Sequence, residues 1–209
     1  MLGRWGAGVL GRWGAPGAIA LWPFRINALR LQTGPLAAHH LGMDPRFPTG
    51  KFVFDANPTP ETRRQCIATI ASFPAELKAV MASAGIDRHY REGGWTGRQV
   101  VHHIADSHMN AFVRFRLTLT EDKPTIKPYQ EAEWAKLADS TTEDPTVSVQ
   151  ILNGLHHRWH CMLEAMTEAD FARAAIHPEH GPVTLDWFLQ LYAWHGRHHI
   201  GHLMLTQRS

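Results

Sequence analysis

The stretch near the C-terminus that decides the fold reads Tyr192-Ala193-Trp194-His195-Gly196-Arg197-His198-His199-Ile200-Gly201-His202, and it holds four of the fifteen histidines. On a helix, residues four apart lie on one face, so His195 pairs with His199 and His198 pairs with His202. Neutral imidazole is the commonest protein ligand for zinc and similar metals. The stretch therefore predicts half of a metal site, or else a solvated helix end, and a third ligand is needed from elsewhere in the chain.

The composition is that of one globular domain with extra segments. The chain has 209 residues, of which 44% are apolar and 19% are charged, so neither disorder nor a membrane bundle is expected. Beyond residue 43 there are 17 basic and 19 acidic residues, which argues against a nucleic-acid-binding surface. The two cysteines are too few for a disulfide framework, and this favours the cytoplasm.

Residues 1–42 differ from the rest of the chain. They hold eight of the seventeen glycines and repeat Leu2–Ala7 as Leu10–Ala15. The apolar run in this part is too short to span a bilayer. We interpret residues 1–42 as a disordered extension that precedes a start at Met43, and residues 43–209 as the folded domain.

Capping signals and apolar spacing place the first two helices. Helix one begins at Thr59-Pro60 and runs towards Ala84, with Pro74 expected to kink or divide it. Helix two begins at Thr96, which with a glutamine three residues later forms a capping box. It continues to about Thr120.

The second half of the chain predicts two more helices. Helix three opens at Asp144-Pro145 and helix four at Thr184, both with a side chain suited to the N-cap position. Residues 121–142 are predicted to be a long crossover loop, and residues 171–181 a polar turn or short extended piece. The fold class is therefore all-α, a four-helix bundle with a long crossover between helices two and three.

The missing third ligand is predicted on helix two. His103 falls on the inward stripe of that helix, whereas His102 falls on a neighbouring face. His195 and His199 continue the apolar stripe of helix four, while His198 and His202 share a second face, which we interpret as outer shell or helix surface and a candidate dimer surface. Three imidazoles leave an open coordination position, as in catalytic metal sites; the alternative is a set of unrelated buried histidines.

Several motifs together resemble one family. The chain from about Met43 to its end is similar to the YfiT branch of the DinB superfamily, on the strength of four segments: Gly93–Asn110, Pro124–Tyr129, His177-Pro178-Glu179, and Tyr192–His195 with His198-His199. The resemblance implies a four-helix bundle, usually dimeric, with a divalent metal held by three histidines. Residue by residue it places these ligands at His103, His195 and His199.

The resemblance also implies an activity. Members of this branch are provisionally named metal-dependent hydrolases or, from related members, bacillithiol S-transferases. We expect a divalent metal, zinc by default and nickel as the alternative, to activate a small-molecule thiol of bacillithiol type that attacks an electrophilic substrate. Two alternatives remain open: a hydrolase that uses metal-activated water, and a non-catalytic module that only binds the metal. A homodimer is the expected assembly.

Two acidic residues are candidates for catalytic roles. Asp106, one turn after His103, is predicted to orient the second nitrogen of a ligand, as ligating histidines usually require. Glu179, with His177, is predicted to face the open position from the turn before helix four and to act as a general base. The alternatives are a surface acid and a structural turn. Three arginines are candidates for binding an anionic thiol or a substrate carboxylate: Arg98, Arg114 and Arg116.

Overall fold

The structure is a computed structural model that describes residues 44–207, so the prediction for residues 1–42 lies outside the described part. In chain order its elements are α1 (Pro60–Met81), α2 (Gly97–Thr120), α3 (Glu131–Trp134), α4 (Ala138–Thr142), α5 (Thr146–Glu164), α6 (Glu168–Phe171), β1 (Ala174–His177), β2 (Gly181–Thr184) and α7 (Leu185–Thr206). Within residues 44–207, no helix has the length and apolar character needed to cross a membrane.

The four long helices form a bundle with an uncommon order. Helices α1 and α2 each pack against both α5 and α7, so the helices follow one another around the bundle as α1, α7, α2, α5. In an up-down-up-down bundle with short loops, consecutive helices are neighbours. Here α1 and α2 lie across the bundle from each other. The predicted four-helix bundle is confirmed, and its long connections allow this order.

Helix α1 is continuous from Pro60 to Met81, so Pro74 does not divide it, and of the two predicted outcomes only a kink stays a prediction. The helix ends three residues before the predicted Ala84. Proline lacks an N–H group, and therefore the carbonyl of Ile70, four residues earlier, has no helical donor at this point. Ile70 and Pro74 are both buried, and packing against α5 and α7 holds the helix together despite the missing bond. The freed carbonyl becomes important at the candidate site.

The predicted helix starts are reproduced by specific hydrogen bonds. At α2 the N–H of Gln99 donates to Thr96 Oγ1 at 3.3 Å, and the N–H of Thr96 donates to Gln99 Oε1 at 2.9 Å. At α7 the N–H of Trp187 donates to Thr184 Oγ1 at 3.2 Å. At α5 the N-cap is Pro145, one residue later than the predicted Asp144, whose carboxylate accepts from the N–H of Thr146 at 2.8 Å. These side chains satisfy N–H groups that a helix start leaves unpaired.

The connecting segments contain more structure than the sequence predicted. The crossover holds the short helices α3 and α4, and the segment before α7 forms an antiparallel hairpin in which Ala174 pairs with Thr184 and His177 with Gly181. Gly181 has φ of +70°, which favours glycine at the end of this turn. The crossover is tied to the hairpin because the N–H of Ile126 donates to the carbonyl of Ile176 at 3.0 Å.

The segment before α1 lies along α7. The side chain of Gln190 on α7 accepts from the N–H of Asp55 and donates to its carbonyl, both at 2.9 Å. The ring of Phe52 lies 5.9 Å from that of Trp194, and a Cβ on Gly201 would stand 2.8 Å from Pro48. This segment therefore covers part of the surface of α7. The homodimer stays a prediction.

Candidate metal centre

The structure brings the three predicted ligands together. His103 on α2 and His195 and His199 on α7 each offer one ring nitrogen, and these three atoms all lie within 4.8 Å of one another. The Nε2 atoms of His195 and His199 are 3.1 Å apart. The ring centre of His103 is 5.4 Å from that of His195 and 4.8 Å from that of His199.

This geometry fits a divalent ion. Two imidazole nitrogens bound tetrahedrally to one zinc ion at about 2.1 Å lie about 3.4 Å apart, which is close to the 3.1 Å between the two Nε2 atoms. Burial lowers the pKa of His103 to about 4 and holds the pKa values of His195 and His199 well below the ordinary value. The three rings are therefore neutral at pH 7, and neutral imidazole is the form that binds metal.

One glycine sets how closely α7 approaches α1 at the site. Gly196 lies between the ligands His195 and His199, and a Cβ at this position would stand 2.7 Å from the ring of Phe73 on α1. That distance is below any normal carbon–carbon contact, so the two helices approach this closely only because residue 196 has no side chain. Phe73 is itself buried and packs against the rings of His108 and His156 at 5.2 and 5.4 Å.

The other two histidines of the C-terminal stretch are buried. His202 Nδ1 lies 3.2 Å from His199 Nδ1, so a proton on His199 Nδ1 can be donated to His202 while His199 Nε2 faces the metal position. His202 stacks on the ring of Tyr90 at 4.1 Å, and His198 stacks on Trp194 at 4.4 Å. His202 contacts the ligand His199, which fits its predicted place in the outer shell of the metal site. The alternative, an exposed helix surface, is wrong for His198 and for His202, because both are buried.

Two further histidines that the sequence reasoning did not single out lie behind the site. His108 Nε2 is 3.2 Å from His195 Nδ1, and His108 Nδ1 is 2.8 Å from His156 Nε2. Both rings are buried. A signal for them exists in the sequence, because His108 follows Ile104 and His156 follows Leu152 at a spacing of four, which places both histidines on apolar stripes.

The three ligands open onto a cavity of about 540 Å³. Six of the residues that line it beside the ligands are Arg46, Trp95, Ser107, Arg114, Glu131 and Glu179. A larger cavity, of about 790 Å³, lies between α1 and the start of α5 and has no histidine in its lining. The helices therefore enclose the metal position on one side, and the cavity of about 540 Å³ gives access to it from the other.

The predicted general base lies at this cavity. His177, the last residue of β1, and Glu179, on the hairpin turn, both line it. The N–H of Glu179 donates to His177 Nδ1 at 3.1 Å, and the Glu179 carboxylate is exposed. His177, Glu179 and His180 also form a second group whose ligand atoms lie within 4.8 Å of one another. Glu179 thus lines the cavity onto which the three ligands open, and its role as a general base stays a prediction.

The structure does not bring Asp106 to the site. Its carboxylate is half-buried on α2 and, among the described residues, makes no hydrogen bond to a histidine; the second nitrogens of His195 and His199 face His108 and His202 instead. Burial and the nearby Asp139 raise the pKa of Asp106 to about 6. Its predicted role in orienting a ligand therefore has no contact to support it.

Of the three arginine candidates, Arg114 faces the cavity. Its Nη1 donates to the hydroxyl of Tyr192 at 3.1 Å, and its Nη2 donates to the carbonyl of Lys127 at 3.3 Å. Arg98 instead forms an ion pair with Asp87 at 2.8 Å. Arg116 lies over the ring of Phe112 at 5.3 Å. Only Arg114 of these three is positioned to meet a ligand beside the metal position.

Comparison with known proteins identifies the family. The family model described as the DinB superfamily matches residues 75–203. The chain is 44% identical over 166 residues to YfiT of Bacillus subtilis, which covers 78% of this chain and 93% of that protein. It is 45% identical over 172 residues to a protein of Geobacillus thermodenitrificans, and this match covers 79% of this chain and 96% of that protein. Both relatives are provisionally named metal-dependent hydrolases.

A solved structure agrees with this assignment. The structure of YfiT from Bacillus subtilis, described as having an unusual four-helix bundle topology, superimposes with a TM-score of 0.75 at 41% identity. The match covers 78% of this chain and 95% of that one. The chain therefore belongs to the DinB superfamily, in its YfiT branch.

Proposed function

We propose that this protein is a divalent-metal-dependent enzyme that transfers a low-molecular-weight thiol of bacillithiol type to an electrophilic small molecule. The observation that carries the proposal is the convergence of three neutral ring nitrogens, from His103, His195 and His199, beside an open cavity of about 540 Å³. When bound there, a divalent ion, zinc by default and nickel as the alternative, lowers the pKa of a thiol or water in its open position. The names of the relatives support metal dependence.

The cavity has an unsatisfied donor that suits an anionic cosubstrate. Arg114 lines the cavity, and its Nε atom is buried and has no hydrogen-bond partner among the described residues. Buried polar groups are normally paired, and leaving one unpaired costs about 1–3 kcal/mol. A thiol that carries a carboxylate would accept from Arg114 and form a charge-assisted bond. The positive charge of Arg114 therefore favours a small anionic thiol as the first substrate.

Glu179 has a place in the proton transfer. Its exposed carboxylate at the cavity can accept the proton that the thiol loses. The sulfur then forms a bond to the electrophilic carbon, and the leaving group departs with the electron pair of its former bond. The half-buried ring of Trp95 and the buried ring of Tyr192 line the same cavity and limit the access of water to the reacting sulfur.

Hydrolysis is the second candidate function, and the provisional names of the relatives favour it. It uses the same histidines and the same cavity. The difference is that water, rather than a thiol, is the nucleophile, so that Glu179 accepts a proton from water. Arg114 would then bind an anionic group of the substrate.

The test is an assay of the full-length protein, purified without a histidine tag and loaded with zinc. A generic electrophile is incubated with bacillithiol, with glutathione or without a thiol, and products are identified by mass spectrometry. We expect a zinc-dependent thioether with bacillithiol. A zinc-dependent product without thiol would instead support hydrolysis, and no zinc-dependent turnover in any sample would overturn both candidates in favour of a metal-binding module.

A matched pair of variants tests the role of Arg114. Arg114→Ala should raise the KM for the thiol by about 10-fold or more, because it removes a charge-assisted hydrogen bond. Arg98→Ala is the control, because this arginine lies on the same helix but pairs with Asp87 away from the cavity. Equal KM values for the two variants would contradict thiol binding by Arg114.

Location and assembly complete the proposal. Cys66 and Cys161 are both free thiols, which suits a reducing cytoplasm. The family resemblance supports a homodimer. Sedimentation velocity of the full-length protein tests this, and a monomer at micromolar concentration would contradict it.

A further inference from the structure

A chain of hydrogen bonds runs from the metal position to the opposite side of the bundle. It starts at His195 on α7, passes through His108 on α2 and His156 on α5, and ends at the carbonyl of Ile70 on α1. The distances are 3.2 Å from His195 to His108, 2.8 Å from His108 to His156, and 2.6 Å from His156 to the carbonyl oxygen. Each of the four long helices therefore contributes one group to the chain.

The far end of the chain fixes the direction of every bond in it. The carbonyl oxygen of Ile70 can only accept, so His156 Nδ1, at 2.6 Å, must carry a proton and donate it. A neutral imidazole has only one N–H, and His156 Nε2 is therefore an acceptor. His108 Nδ1 must then donate to it, His108 Nε2 must accept, and His195 Nδ1 must donate in turn. This leaves the lone pair of His195 Nε2 facing His199 and the metal position.

These bond directions hold for neutral rings, and the surroundings of His108 and His156 keep both rings neutral. The hydrogen-bond partners of His108 and His156 are other rings and one carbonyl, not carboxylates. Both rings are 1% exposed, and burial without a counter-charge disfavours the imidazolium form. The pKa of His156 is accordingly lowered to about 4.

Pro74 explains why an acceptor is free at the end of the chain. In a regular helix the carbonyl of Ile70 would accept from the N–H of residue 74. Proline has no such group, so the carbonyl of Ile70 is left for His156. The proline inside α1, at which the sequence predicted a kink or a division, thus leaves one backbone acceptor free in the core of the bundle.

We propose that His108 and His156 are positioning residues, which hold His195 in the Nδ1–H tautomer so that its Nε2 lone pair points at the metal, with Ile70 and Pro74 supplying the fixed end. Ligating histidines commonly donate their other N–H to a carboxylate, a carbonyl or water. Here the acceptor is a neutral histidine, His108, whose own tautomer is fixed through His156 by the carbonyl of Ile70 on α1. The inference rests on the proposed metal site, but its first readout uses the metal-free protein.

The first experiment is a long-range ¹⁵N–¹H correlation spectrum of the full-length, metal-free protein, with histidine signals assigned by single variants. We expect His195, His108 and His156 each to carry their proton on Nδ1. A proton on Nε2 of His195 in the wild-type protein would overturn the proposal, whether or not the protein binds metal. Failure to bind zinc with the expected tautomers would instead contradict the proposed function alone.

The second experiment compares zinc affinities, measured by competition with a chelator. His108→Leu removes the acceptor, so we expect the Nε2–H form of His195 to appear and the zinc Kd to rise about 10- to 100-fold. In His108→Gln the amide oxygen can replace Nε2 as acceptor, and this variant should restore both the tautomer and most of the affinity. The control is His157→Leu, which removes an exposed histidine from α5 and should change neither readout.

The glutamine variant separates positioning from packing. If His108→Leu and His108→Gln lose affinity equally while the tautomer of His195 is unchanged, His108 only fills space and the proposal is overturned. If His108→Leu does not fold, the wild-type spectrum and the glutamine variant still decide the question. Retention of the Nδ1–H tautomer in a folded His108→Leu protein would also overturn it.

Discussion

Among residues 44–207, two clusters of side chains have ligand atoms close enough to hold a metal ion, but they are built differently. His103, His195 and His199 come from two long helices, and the second nitrogens of His195 and His199 contact other rings. His177, Glu179 and His180 come from the end of β1 and the hairpin turn that follows it, which is largely exposed. The turn side chains keep rotamer freedom that metal binding would remove, whereas the buried rings lost it on folding. Proximity alone therefore does not make two clusters equivalent.

The largest expected difference between the clusters is in metal content. His195→Ala with His199→Ala should abolish stoichiometric zinc, because a single remaining imidazole cannot hold the ion. His177→Ala with His180→Ala should leave one zinc per chain. The measurement is metal analysis of untagged protein after dialysis.

This comparison can fail in two ways. Zinc retained in the His195→Ala, His199→Ala variant would refute the buried site. Loss of zinc from the turn variant, at unchanged circular dichroism, would show that the exposed cluster is the stronger site and would reverse the comparison.

The second expected effect is on turnover. Glu179→Gln should lower turnover about 100-fold, which is the lower end for a lost general base, while zinc content stays at the wild-type level. The turn would then serve proton transfer and the buried cluster would serve metal binding. Glu164→Gln, at an exposed position on α5, is the control in the same steady-state assay. Wild-type turnover for Glu179→Gln would leave the turn with a structural role only.

A third effect concerns the packing behind the buried cluster. Gly196→Ala would push a methyl group against the ring of Phe73, at 2.7 Å, and should lower the free energy of unfolding by about 1–3 kcal/mol. Gly154→Ala on α5 meets nothing within 4 Å and should raise it by up to about 1 kcal/mol. Urea denaturation measures both. A Gly196→Ala protein as stable as wild type would show that the close approach of α1 and α7 is not needed.

The smallest effect is expected at Asp106. Its pKa is raised from 3.8 to about 6, so the folded protein binds the proton more tightly than the unfolded chain does. The ionised form then costs stability above pH 6, and the cost disappears below about pH 4. The full shift corresponds to about 3 kcal/mol, but the group is half-exposed, so we expect Asp106→Asn to gain about 1 kcal/mol at pH 7.5.

The measurement is urea denaturation of both proteins at pH 4 and 7.5, together with the zinc Kd. We expect the difference in stability only at the higher pH and the same Kd for both proteins. A weaker zinc affinity in Asp106→Asn would restore the predicted role of this residue in orienting a ligand.

Much of the helical framework could be predicted because its signals are local. The capping residues Thr96 and Thr184 form hydrogen bonds with residues three positions away, and a capping box is readable over four residues. The sequence did not predict the short helices α3 and α4, and it predicted the hairpin only as a polar turn or short extended piece, since four or five residues are too few to show a periodicity. The sequence predicts a kink or a division at Pro74 because it cannot show the helices that pack around this residue.

By itself the sequence determined the four long helices, their capped starts and the inward positions of His103, His195 and His199, because periodicity and capping depend on residues within a few turns of one another. Only the tertiary structure decided that α1 and α2 lie across the bundle and that Asp106 is away from the ligands. It also joined His195, His108, His156 and Ile70. Those contacts join residues that are 48 to 87 positions apart, and packing of whole helices, which no local pattern encodes, brings them together.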